Sequence, residues 1–239
     1  MVALGSLLLA DSRLPTGGHA HSGGVEAAID RGLLRDEADL ALFLAGRLRG
    51  TGAVLAATAA SGCLLAAGPA LENSELDSGG QVDWGGWDAA VSARTPSAAA
   101  REASRAQGAA LLRTARRVWP SPPLEALRQT GRPHHPLVLG AVVAAAGDGP
   151  GAAALLAVHH LLAGACSAAV RLLGLDPIAV AAIQVRVSGS AAEVVREATR
   201  AAHEAVAQRD TRLLPSTGTP LPEVLAELHA RMEVTLFAS

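Results

Sequence analysis

Apolar residues recur along this chain at spacings of three and four rather than two, and that period predicts helix nearly throughout. Ala, Leu, Arg and Glu fill the windows in which alternating Val, Ile, Thr and aromatic residues would mark strands. The expected class is all-α, a single-domain bundle of about eight to ten helices. One stripe is well drawn: Ala191, Val194, Ala198, Ala201, Ala205 and Val206 share a face, while Arg196, Arg200 and Glu204 lie off it. Ser190 and Glu193 have capping-box spacing and predict that this helix starts there and ends near Gln208. Thr95 before Pro96 predicts the start of another, ending near Val118. Further helices are expected over 36–67, 136–146, 151–173, 177–187 and 220–232. The glycine- and acid-rich stretch 68–86 reads as a mobile loop within one domain, 1–239, since composition does not shift across it.

Three apolar stretches resemble export or membrane signals and are read otherwise. Residues 1–10 lack the leading arginine and the small-residue cleavage site of a signal peptide, so a buried first helix is expected. Residues 50–71 and 149–170 are uncharged and long enough for a bilayer span. In both, Ala, Gly, Ser and Thr outnumber Leu and Val, and His159-His160 interrupts the second, so closely packed helices and no membrane partner are expected.

Composition narrows the function by what is missing. All 20 cationic side chains are Arg, so no lysine is available for a Schiff base or a phosphate-binding loop. The chain cannot itself be a Walker-type GTPase or ATPase, nor a pyridoxal enzyme. Cys63 and Cys166 stand far apart and read as buried thiols. A formal net charge of -2 removes the long-range attraction typical of nucleic-acid binders, and no nucleic-acid partner is expected.

Local motifs add little chemistry. Gly149-Pro150-Gly151-Ala152-Ala153-Ala154 fits the dinucleotide pattern G-x-G-x-x-A but lacks β-α surroundings, and reads as a turn between helices. Gly164-Ala165-Cys166-Ser167-Ala168 mimics a nucleophile elbow in mid-helix, where Cys166 belongs to the core. Arg94, Arg101, Arg105, Arg113, Arg116 and Arg117 follow an acidic group, Glu72, Glu75, Asp77, Asp83 and Asp88. They form either a solvated face balanced by that acidic loop or a docking face. Over 7–29 a helix is interrupted by a Pro-Gly loop with His19 and His21, and then restarts. Ser22 is expected to cap the second helix and Glu26 to occupy its first turn. His19 and His21 could hold a metal only with a third ligand from elsewhere; otherwise they are loop histidines bonded to backbone.

Several segments recur in a recognisable order: Asp11-Ser12-Arg13-Leu14-Pro15-Thr16-Gly17-Gly18, His21-Ser22-Gly23-Gly24-Val25-Glu26, then Arg94-Thr95-Pro96, Arg101, Ser104 and Gln107-Gly108. His135-Pro136-Leu137, Ala169-Val170-Arg171-Leu172-Leu173-Gly174-Leu175 and the end Leu236-Phe237-Ala238-Ser239 complete the set. In that order and spacing, covering nearly the whole chain, they resemble the UreF-type urease accessory proteins. Val25 departs from a usual Leu, and Thr235 from an Arg that commonly precedes Leu-Phe.

The resemblance implies an all-helical, non-enzymatic cytoplasmic chaperone that forms a homodimer, binds a UreD/UreH-type partner and recruits a UreG-type GTPase to the urease apoprotein. It implies no stably bound cofactor, nickel being handled by the complex. It places partner contacts at Asp11, Ser12, Pro15, Gly17, Gly18, His21, Ser22, Glu26, Arg171, Leu236 and Phe237. A dimer contact is expected on the helix over 151–173, at Ala157 and Gly164. Leu236 and Phe237 are expected to meet the partner, the alternative being that both fold back onto the chain's own core. The competing function is a helical metal-binding protein or enzyme with a site drawn from His19, His21, His134, His135, His159 and His160.

Overall fold

A computed structural model describes residues 3–11, 14, 21–68, 82–216, 219–232 and 235–237. The described residues are helical without any strand: α1 (Leu4–Ala10), α2 (Val25–Asp30), α3 (Glu37–Arg47), α4 (Ala53–Ala67), α5 (Trp84–Ala93), α6 (Ala98–Val118), α7 (Pro122–Gln129), α8 (His135–Ala145), α9 (Pro150–Leu173), α10 (Pro177–Gln208) and α11 (Pro220–His229). A π turn, Leu48–Gly52, joins α3 to α4 without a break.

The bundle is built around α4, which packs against α8, α9 and α10 and buries every residue from Ala56 to Leu64. Close approach requires small residues. A Cβ at Gly140 of α8 would overlap the Ala59 carbonyl and stand 2.6 Å from the Cys63 nitrogen, and one at Gly62 would strike Leu137 in return. Two backbones in near contact bury apolar surface without large side chains, which is how a chain with 2 % aromatic residues still forms a dense core. Cys63 and Cys166 are both free and buried, as expected.

The Gly149-Pro150 turn starts α9 as predicted, with Gly149 at the cap and Pro150 in the first turn. Other boundaries move. α10 is one helix of 32 residues capped by Asp176, so Ser190 and Glu193 lie inside it and open nothing. Val180, Ile183, Val187, Ala191, Val194, Ala198, Ala202 and Ala205 carry one continuous apolar stripe through the expected boundary, and burial of that stripe overrides the local capping signal. Ser97, not Thr95, caps α6: the Thr95 hydroxyl donates to the Val91 carbonyl at the end of α5, leaving the Ser97 hydroxyl to accept from the Ala100 amide. The expected loop 68–86 ends in structure, because Asp83 caps α5 and Trp84, Trp87 and Val91 bury one face of it; residues 69–81 lie outside the described residues. α1 is not buried as expected. It sinks only Ser6 and Leu9 and leaves Leu4, Leu7 and Leu8 exposed.

Three helices, Glu37–Ala67, Pro150–Leu173 and Pro177–Gln208, are long and apolar enough to cross a membrane by length and composition. The first two bury 67 % and 61 % of their most apolar windows inside the bundle, the third only 17 %.

Candidate functional site

Glu26 of the N-terminal motif, Arg171 of the A-V-R-L segment and residues 236–237 meet in one place. Glu26 sits in the first turn of α2 as expected, but its carboxylate is turned inward, 7 % exposed. Oε2 accepts from His229 Nε2 at 2.8 Å and from the Phe237 amide at 3.1 Å, while Oε1 accepts from the Leu236 amide at 2.7 Å. Burial alone would raise the Glu26 pKa. The Leu236 amide, the His229 side chain and the Phe237 amide outweigh it, and the net value lies below the ordinary carboxylate range. Phe237 is thereby drawn into the core, and the Arg171 guanidinium lies 4.7 Å from its ring centroid. Leu236, its neighbour, stays 73 % exposed. The two expectations for the tail are therefore split between adjacent residues: Phe237 folds back, Leu236 does not.

Beside this clamp, a groove between α9 and α10 is lined by Ser167, Val170, Arg171, Pro177, Ala181 and Gln184. Ala157, expected at a surface between chains, is buried inside the protein, because its side of α9 faces the bundle. Gly164 is half-buried, and a Cβ there would stand 3.5 Å from the His21 carbonyl.

A second feature is a cavity of about 250 Å³ lined by Asp11, His21, Arg47, His135, His159 and His160. His135 and His160 have ring centroids 5.9 Å apart, as do His159 and His160. Burial pushes His135 down to about 3, with His160 and His21 adding to the effect, and lowers His160 too, so both rings are neutral. His160 Nε2 is engaged with the Leu9 carbonyl at 2.8 Å. His134 belongs elsewhere, its ring held between Ser92 and Ser104 and its amide donating to Asp88. Among the described residues no group of three or more His, Cys, Asp or Glu side chains could hold a metal ion.

The arginine helix is paired in part within its own chain, once with Asp88 of the acidic group, while Glu72, Glu75 and Asp77 lie outside the described residues. Arg101 caps the carbonyls of Thr95 and Pro96, Arg105 pairs with Asp88 at 2.9 Å, and Arg116 with Glu125. Gly108 lets Pro133 and His135 pass close by. Arg94 donates to the carbonyls of Ala90, Thr211, Leu214 and Pro215, tying α5 to the segment after α10. Spacing thus recorded packing contacts at Arg94, Arg101, Ser104 and Gly108.

Of the remaining partner candidates, Asp11 ends α1 at the cavity and His21 lines it. Ser22 does not cap α2: Gly24 holds that position with φ 89°, and the Ser22 hydroxyl is buried without a hydrogen-bond partner among the described residues. Ser12, Pro15, Gly17, Gly18 and His19 lie outside the described residues. His229 escaped sequence reasoning, since nothing local marks a histidine 203 positions from its carboxylate.

The UreF family model matches residues 34–188. The urease accessory protein UreF of Mycolicibacterium vanbaalenii is 41 % identical over 236 residues, covering 98 % of this chain and 97 % of that protein. The UreF proteins of Mycobacterium marinum and Mycobacterium tuberculosis strain H37Ra are 41 % and 40 % identical over 240 residues, the full length of both chains.

Proposed function

Because the chain belongs to the UreF family of urease accessory proteins, we propose that it acts as an adaptor: it binds a UreD/UreH-type partner, and the pair recruits a UreG-type GTPase that brings nickel to the urease apoprotein. Nickel is cargo of the assembly, and this chain performs no catalysis of its own. The absence of any lysine accords with leaving nucleotide chemistry to the GTPase. An adaptor works by differential binding energy, holding one partner in the state that another recognises. The place of work is the cytoplasm.

The observation that carries this reading is the clamped tail. A chain end is ordinarily frayed; here Glu26 fixes the amides of Leu236 and Phe237, Phe237 is anchored under Arg171, and Leu236 is held outward as an apolar knob. A preordered knob beside the α9–α10 groove binds without first meeting the ordering cost of a free tail. Removing 235–239 would delete a core residue along with the knob, so Leu236 is the position that separates partner binding from folding. A second copy of the chain would cover the open first half of α10, at Ile178, Ala181 and Val185, instead of the interior Ala157. Co-expression with UreD/UreH-type and UreG-type chains tests the reading: a stable complex with the first, joined by the second, is expected, and failure to co-purify with the first would contradict it.

A further inference from the structure

We propose, building on the adaptor reading above, that His229 is a positioning residue of the adaptor surface: its ring sets the Glu26 carboxylate for the tail and thereby decides whether Leu236 is presented to the UreD/UreH-type partner. His229 ends α11 and is 4 % exposed, with Nε2 2.8 Å from Glu26 Oε2.

The donors that reach the Glu26 carboxylate differ in origin. The Leu236 and Phe237 amides belong to the tail itself, so they are in place only once the tail has docked. His229 stands on a helix and is in place beforehand. A glutamate side chain has three rotatable bonds, and fixing them costs entropy. A donor already held on a neighbouring helix meets that cost before the tail arrives. With its pKa below the ordinary carboxylate range, Glu26 is ionised at neutral pH and both its oxygens only accept, so the proton of the shared bond lies on His229 Nε2. Oε2 is held by the ring and also takes the Phe237 amide, which leaves Oε1 directed at the Leu236 amide.

The helix that carries His229 is itself anchored away from the tail. Glu223 accepts from the Ser97 amide at 2.6 Å, and Glu227, one turn on, accepts from the Ser97 hydroxyl at 2.6 Å and from the Ala99 amide at 3.0 Å. Two carboxylates of α11 thus bind the start of α6, where the helix dipole favours negative charge. Between them in sequence, Leu225 is fully buried and lies so close to Gly24 that a Cβ there would stand 3.4 Å from its own. α11 is therefore fixed against α6 and against the start of α2, and these contacts hold the His229 ring where it meets Glu26. Arg171 holds the Phe237 ring, whereas the Leu236 backbone is held through Glu26.

The test follows amide hydrogen exchange in the full chain by NMR, and then affinity for the purified UreD/UreH-type chain. His229→Leu is expected to speed exchange of the Leu236 and Phe237 amides by about tenfold or more, with α4 amides protected as in the parent, and to weaken the partner by about tenfold. His229→Gln, whose side-chain amide offers a donor at similar reach, is expected to restore both. Unchanged exchange of the two amides in His229→Leu would overturn the proposal. So would His229→Gln behaving like His229→Leu, which would leave the ring a space-filling role only. If His229→Leu does not fold, His229→Asn, too short to reach Glu26, decides: parent-like exchange of the two amides there overturns the proposal. A parent chain that does not bind the partner would contradict the adaptor reading, while the exchange result still decides whether His229 places the tail.

Discussion

The core helix α4 and the first half of α10 are written in nearly the same residues, chiefly Ala, Val, Leu, Ile, Gly and Ser, yet they meet opposite fates. α4 is enclosed by α8, α9 and α10, whereas α10 leaves Ile178 and Val185 open, at 79 % and 72 % exposure. The difference lies opposite each helix. Gly140 and Gly62 let α8 close over α4, while α10 has α4 and α9 on one side and, among the described residues, nothing covering Ile178 and Val185 on the other. Apolarity in a sequence thus says that a face needs cover, not that its own chain supplies it. Phe237 and Leu236 repeat the contrast at the scale of one residue.

The sharpest way to break the enclosed half is at its tightest crossing. Gly140→Leu should cost about 3 kcal/mol or more, since backbone on both sides of the new side chain has little freedom to retreat. Loss of cooperative unfolding by circular dichroism checks it; a native melting curve would mean α4 and α8 are not in this contact.

The clamp comes next. Glu26→Ala strands the His229 donor and two amides and should cost about 2–3 kcal/mol, with faster proteolysis after Met232. The pH dependence has a definite sign. A carboxylate whose folded pKa is depressed stabilises above the ordinary carboxylate range and loses that contribution as pH falls through its lower folded value. Glu26→Ala should therefore flatten part of the acid limb of stability against pH, and an unchanged limb would count against the clamp.

At the open face, stability should hardly respond. Val185→Asp is expected to shift the unfolding free energy by no more than about 0.5 kcal/mol while abolishing any homodimer, as read by light scattering. A dimer that survives it would move the contact off α10.

The same contrast explains what could be read from the chain. Helical class, the Gly149-Pro150 start of α9, the apolar stripe ending near Val206 and the buried Cys63 and Cys166 follow from local pattern, because period and turn chemistry are local. The true start of α10 was hidden by Ser190 and Glu193, since only tertiary burial decides between a cap and a helix interior. Helix α5 was missed behind its glycines, although Trp84, Trp87 and Val91 carry helical spacing. The resemblance picked out Glu26, Arg171 and Phe237 separately, but no spacing shows that residues 26 and 237 meet. His229 gave no local signal at all.

The central claim is that this chain keeps its own core closed and holds out Leu236 for a partner. Leu236→Asp, co-expressed with the UreD/UreH-type chain, tests it most directly. The account predicts melting within about 0.5 kcal/mol of the parent, as for an exposed position, with partner co-purification lost. Full co-purification by the folded variant would contradict it.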